Sequence, residues 1–150
     1  MISKLLDDIS ANLYAHFKTE NIYLEQVEQK KEITPCFFLM PISELDIALI
    51  GNRAKRNITI DVMYKTETME QRTELLTVAN QLYSVLRFLY EIDENNEKTT
   101  KRVAFANSMR HEIVDDVLHF IVNYKVIVYY TEDPSAIMEN LDIEVGSVNG

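Results

Sequence analysis

From Val117 to Tyr130 apolar and other side chains alternate almost without a break. Leu118, Phe120, Val122, Tyr124, Val126, Val128 and Tyr130 fall on one side of an extended chain, with Val117, His119, Ile121, Asn123, Lys125, Ile127 and Tyr129 on the other. Side chains of a strand alternate between its two faces, so this pattern predicts a half-buried strand. The run is about 14 residues, against a usual strand of about 5–6. Such a strand either bends across a sheet or projects from the domain. In both cases the chain must supply a sheet long enough to pair with it.

Candidate partners lie upstream. Ile58, Ile60, Val62 and Tyr64 alternate with Thr59, Asp61, Met63 and Lys65, which predicts a second half-buried strand. Cys36–Met40 reads as a strand opened by Pro35 and closed by Pro41, since proline donates nothing to a ladder. Asn21–Val27 reads as a short strand, followed by the polar turn 26–32. Leu45, Ile47, Leu49 and Ile50 suggest a further short strand ending at the Gly51-Asn52 turn, with Arg53–Arg56 on a loop. Val103–Ala106 begins another strand after a solvated loop over 91–100.

Two segments carry helical spacing instead. Ile2, Leu5, Leu6, Ile9, Leu13 and Phe17 form one stripe over about residues 2–18. Leu75, Val78, Ala79, Leu82, Val85, Leu86 and Leu89 form another over about 69–90, with Thr68 and Gln71 as a capping box. Two helices packed on one mixed or antiparallel sheet of four to six strands, with a long β-hairpin, is the economical arrangement. The expected class is therefore a single α+β domain. The domain is expected over 1–142, with a short amphipathic turn at Ile137–Leu141 and a flexible tail over 143–150.

The charge is −9 over 150 residues, with Arg53–Arg56 the only local basic cluster. Gripping nucleic acid needs clustered Lys and Arg, so this balance argues against that role. No apolar run reaches the ~20 residues of a membrane span, and the acidic N-terminus lacks a signal peptide's apolar core. The chain is expected to begin in the cytoplasm. Cys36 lies between Pro35 and Phe37-Phe38, which marks it as a small core residue rather than a nucleophile paired with His16 or His111.

One spacing suggests chemistry. His111-Glu112-x-x-Asp115 followed by His119 would put His111, Asp115 and His119 on one face of a helix, as a hydrolytic metal site requires. His119 already belongs to the alternating run, however, and helical spacing does not apply there. The bland reading is an acidic turn between strands. Glycine-cradled phosphate sites, nucleophile elbows and CxxC pairs are absent from the sequence, which holds only three glycines. Neither an enzyme nor a cofactor is expected. Tyr124, Tyr129 and Tyr130 suit either sheet cross-pairs or an interface, where tyrosine is enriched.

The chain resembles the small tail terminator proteins of contractile-tailed phages and phage-like particles of Gram-positive bacteria. The resemblance rests on Ile22-Tyr23-x-Glu25-x-x-Glu28-Gln29, Pro35-x-Phe37-Phe38, Asn52-Arg53 and Ile58-x-Ile60-Asp61-Val62-x-Tyr64. It also rests on Met109-Arg110-His111-Glu112-Ile113-Val114-Asp115-x-Val117-Leu118-His119-Phe120-x-Val122-x-Tyr124, the most specific segment, and on Asp133-Pro134 with Met138-x-x-Leu141. It departs from the family pattern at Asp116, where a glycine is usual.

The resemblance implies a tail-completion fold and a ring of six copies at the head-proximal end of a virion tail, assembled in the host cytoplasm. Such a ring would cap the last tail-tube ring and stop tube and sheath growth. It would also offer a docking surface to neck or connector proteins, in a phage or a headless bacteriocin. A neck or head-completion protein is the alternative within the same class. DNA would meet the ring only in passing, and an acidic lumen would let it slide. Closed rings use two different patches per subunit. The expected patches are the 42–57 loop and the 111–130 hairpin, with Asn52, Arg53, Lys55, Arg56, Arg110, His111, Glu112, Tyr129 and Tyr130 as interface residues.

Overall fold

The computed structural model describes residues 2–24, 33–67 and 71–130. The expected polar turn over 26–32, the Thr68 cap, the amphipathic turn at Ile137–Leu141 and the tail over 143–150 lie outside the described residues. The elements run α1 (Ile2–Phe17), β1 (Ile22–Tyr23), β2 (Cys36–Ala48), β3 (Arg53–Lys65), α2 (Gln71–Val85), β4 (Phe88–Ile92), β5 (Lys98–Val114) and β6 (Val117–Tyr129). The strands form one six-stranded sheet in the order β1-β2-β3-β6-β5-β4. Only β1 and β2 pair parallel, and every other neighbour is antiparallel. The α+β class and the two helices are as the sequence predicts.

The core lies between the helices and one face of the sheet. Leu5, Ile9 and Leu13 of α1 and Leu75, Val78, Ala79 and Leu82 of α2 meet Phe37, Leu39, Ile58, Ile60, Val62, Leu118, Phe120, Val122 and Tyr124. Apart from Phe37 and Leu39, which come from the apolar run 36–40, these sheet residues are the apolar faces read from the alternation. α1 ends at Phe17 because Lys18 takes a left-handed conformation (φ 57°) and its N–H donates to the Tyr14 carbonyl at 2.9 Å. Asn12 is buried yet satisfied: its amide donates to the Asp8 and Tyr90 carbonyls, and its Oδ1 accepts from the Tyr90 N–H at 3.1 Å. It thereby caps part of the outer edge of β4 as a neighbouring strand would.

Four expectations need correction. The second helix stops at Val85, and Phe88–Ile92 forms β4 instead. Leu86 and Leu89 remain fully buried, so the stripe was right about burial and wrong about backbone. Pairing with β5 and the Asn12 bridge favour the extended form there. The loop over 91–100 reduces to a tight turn, in which Asp93 Oδ1 accepts the Asn95 and Glu97 N–H groups at 2.8 and 2.9 Å. Arg53–Arg56 lie in β3, not on a loop. Pro41 does not close β2, which continues to Ala48 with a register shift between Pro41 and Ser43. A bulge on an outer strand tolerates proline because the missing donor can face the unpaired side.

The β5–β6 hairpin closes through Asp115 and Asp116, both left-handed at φ 51° and 62°. Two such residues in a two-residue loop match the twist of the flanking strands. Left-handed backbone costs an L-residue about 1–2 kcal/mol. Asp116→Gly is therefore expected to raise stability by about 1 kcal/mol, measured by urea denaturation. A loss of stability would mean that the Asp116 side chain contributes a bond of its own.

Candidate assembly surface

β2, β3 and β6 continue past the helix layer as a three-stranded arm. The register shows it: Glu44 pairs with Ile58, Asp46 with Arg56 and Ala48 with Ala54, while Arg56 pairs with Val126. Every β2 residue from Met40 to Ala48 is exposed, although its helix-side positions would be core if a helix covered them. Ile42, Leu45, Ile47, Ile50, Ile127 and Tyr129 all stand exposed on the arm, Ile50 by 87% at the hairpin tip. The tip turns on Gly51 at φ 81°, a conformation that L side chains rarely adopt.

The arm is held rigid by a polar cluster on its helix-side face. Arg56 Nη2 donates to Asp46 Oδ2 at 2.6 Å and lies 2.9 Å from the Tyr130 hydroxyl. That hydroxyl donates to Asp46 Oδ2 at 2.8 Å, and Arg56 Nε lies 3.5 Å from Glu44. Asn52 ties the tip to β6: its amide donates to the Tyr130 carbonyl at 2.9 Å, and its own carbonyl accepts the Tyr130 N–H at 2.8 Å. The Arg56 bond, and then the Tyr130 bond, hold the Asp46 carboxyl below the usual carboxylate range, while Asp46 raises Arg56. A depressed carboxylate stabilises the fold above its unfolded pKa of about 3.9 and loses that contribution as pH falls through its lowered value. The Tyr130 ring signals in an NMR titration should thus stay constant from neutral pH to about 4 and shift only below it. A transition near pH 6 would contradict this arrangement.

The expected interface residues therefore divide into two groups. Asn52, Arg53, Lys55, Arg56, Tyr129 and Tyr130 gather on the arm, where Asn52, Arg56 and Tyr130 brace it internally and Arg53 and Tyr129 face outward. Arg110, His111 and Glu112 sit apart on β5. Arg110 pairs with Glu112 at 3.3 Å on an exposed surface, while His111 Nδ1 meets the Tyr83 hydroxyl at 2.9 Å. The sequence reading missed Glu44 and Asp46 as bracing groups. It placed Leu45, Ile47 and Ile50 in a strand and its turn without their exposure. Alternation reveals a strand, but whether a helix covers it is a tertiary fact.

The histidines do not share a site. His111 pairs with Phe120, a core residue, and so points to the helix side; Glu112 pairs with His119, which points to the opposite face. There His119 Nδ1 lies 2.8 Å from Asp61 Oδ2. Asp115 is in the turn. A metal shared by His111, Asp115 and His119 is therefore excluded by the hairpin register, and among the described residues no group of three or more His, Cys, Asp and Glu is placed to hold one. Cys36 is fully buried.

The helix-free sheet face bears a polar row in which Asn123 Nδ2 donates to Thr59 at 2.9 Å and Asn107 Nδ2 to Asn123 at 3.3 Å. Across β2, β3, β6 and the 107–114 half of β5, the register puts Arg53, Lys55, Lys65, Lys125 and Arg110 on this face with only Asp61 and Glu112. The acidity of the chain resides elsewhere, so an acidic lumen would require a different face to line the channel. No helix among the described residues is long and apolar enough to cross a membrane.

A comparison with curated proteins returns no match. The family model described as "Phage tail terminator protein" matches residues 4–136, nearly the whole chain, and with its helix-backed sheet and exposed apolar arm the chain belongs to that family of phage tail proteins.

Proposed function

We propose that this chain ends a contractile phage or phage-like tail by forming a six-membered ring on the last tube ring. The ring stops tube and sheath growth and presents its outer side to neck or connector proteins. It is a structural component, working by shape and contact rather than by catalysis. Membership of the terminator family carries this reading. The arm supports it, because Ile42, Leu45, Ile47, Ile50, Ile127 and Tyr129 expose more clustered apolar surface than a free monomer needs. Interfaces draw their affinity from such desolvated anchors, while rim charges such as Arg53 chiefly steer the approach.

The test is electron microscopy of tails assembled with and without the protein. Uniform tails with it and overlong tubes without it are the expected result. Tubes of normal length that fail only to join heads would transfer the chain to the neck.

A further inference from the structure

Two strands keep long stretches of outer edge that no strand pairs among the described residues. β1 covers β2 only at Phe37 and Phe38, which leaves the edge from Leu39 to Ala48. β4 pairs with β5 no further than Phe105, which leaves the edge from Asn107 to Val114. β4 itself is partly capped by Asn12. A long edge strand with exposed apolar residues is a template for another strand, and soluble proteins seldom leave one bare. The β2 edge carries Met40, Ile42, Leu45 and Ile47, all exposed, without a single lysine to discourage pairing.

The two edges fit each other. Leu49 N–H donates to the Arg53 carbonyl, so going back along the ladder the backbone groups of Ile47, Leu45 and Ser43 point to β3. Those of Glu44, Asp46 and Ala48 therefore point outward. On β5 the two-residue turn makes Val114 and Val117 a bonded pair, so the groups of Met109, His111 and Ile113 point outward. In both strands the outward-pointing residues carry side chains on the helix side of the sheet. Residues bonded across an antiparallel pair share a face, so the pleats match. Strand directions alternate through β2, β3, β6 and β5, so a second copy added in the same orientation meets the first antiparallel.

We propose that the bare edge of β2 in one copy pairs antiparallel with the bare edge of β5 in the next, with Glu44 opposite His111 and Asp46 opposite Met109. This deepens the ring reading above and rests on it. The register sets a carboxylate against an imidazole, and Leu45 against Arg110 on the helix-free face. It also has the right stagger. Within one subunit His111 is level with Val62, while Glu44 is level with Ile58, four residues along β3. An offset of about 13 Å over four strand spacings of about 19 Å gives a tilt of about 35°, within the range at which sheets close into barrels. Moving the pairing by two residues either way gives about 19° or about 46°, both outside the usual range of about 35–45°. The junction is heterologous, as ring closure demands.

The experiment uses Leu45→Cys and Arg110→Cys, a pair that faces across a non-bonded position where side chains approach closely enough for a disulfide. The double variant is oxidised both as concentrated purified protein and in assembled tails, and mass is read under denaturing, non-reducing conditions. A ladder of covalent multimers from the double variant, with none from either single variant, is the expected result. Dimers from L45C alone would mean that β2 pairs with its own copy and would overturn the proposal. Absence of any crosslink in both preparations would also overturn it. Tail length is scored on the same particles: normal capping without crosslinks removes this junction and leaves the terminator reading, whereas crosslinked rings without capping do the reverse.

Discussion

Leu45→Lys combined with Ile47→Lys is expected to leave the subunit folded and to abolish tail termination. Both side chains are exposed on the arm, so the free chain loses little, within about 0.5 kcal/mol per site. An assembled ring would set position 45 against Arg110 of the next copy, and a like-charged pair in place of an apolar anchor costs about 2 kcal/mol or more per contact, roughly 30-fold in affinity. Each copy suffers that loss, so the assembly fails as a whole. The check is a thermal melt beside tail-length measurement. An unchanged melting temperature with overlong tubes supports the arm as an assembly surface; an unchanged melt with normal tails removes it from that role.

Phe120→Ala should have the opposite signature, a severe loss of stability. Phe120 is fully buried and packs edge-on against Tyr83 with ring centroids 4.8 Å apart. Truncating a buried Phe leaves a cavity and costs about 3–5 kcal/mol. Domains have only about 5–15 kcal/mol to lose, so the variant should unfold at a much lower urea concentration. Leu76→Ala, on the exposed side of α2, serves as the control and should change little. A Phe120→Ala loss below about 1 kcal/mol would mean the helix–sheet interface is looser than described.

The contrast between these two substitutions reflects what each residue's neighbours in sequence reveal. Phe120 sits amid Leu118, Val122 and Tyr124 at a strict period of two, and all four are buried as the alternation predicts. Tyr124 even finds a partner for its hydroxyl, the Leu86 carbonyl at 2.8 Å, and burial pushes its ionisation far above the usual tyrosine range. Leu45 and Ile47 show the same local period and are exposed. Nothing near them in sequence marks the difference, because it depends on which face of the sheet the two helices cover, and Leu45 and Ile47 point to the other one. The metal-like spacing of His111, Asp115 and His119 failed for a related reason. A turn at Asp115-Asp116 reverses the chain, so residues of equal parity on either side of it face opposite ways.

The sequence by itself determined the α+β class, the two helical stripes, the long closing strand and the identity of the core, because periodicity records which side of each element avoids water. It also carried the family resemblance, which the match over residues 4–136 bears out at the level of a tail terminator. Only the tertiary structure decided that Phe88–Ile92 is a strand, that Arg53–Arg56 belong to β3, that the arm stands clear of the helices, and that two strand edges have no strand partner among the described residues. These are properties of pairing and coverage, set by partners distant in the chain, and local spacing holds no record of them.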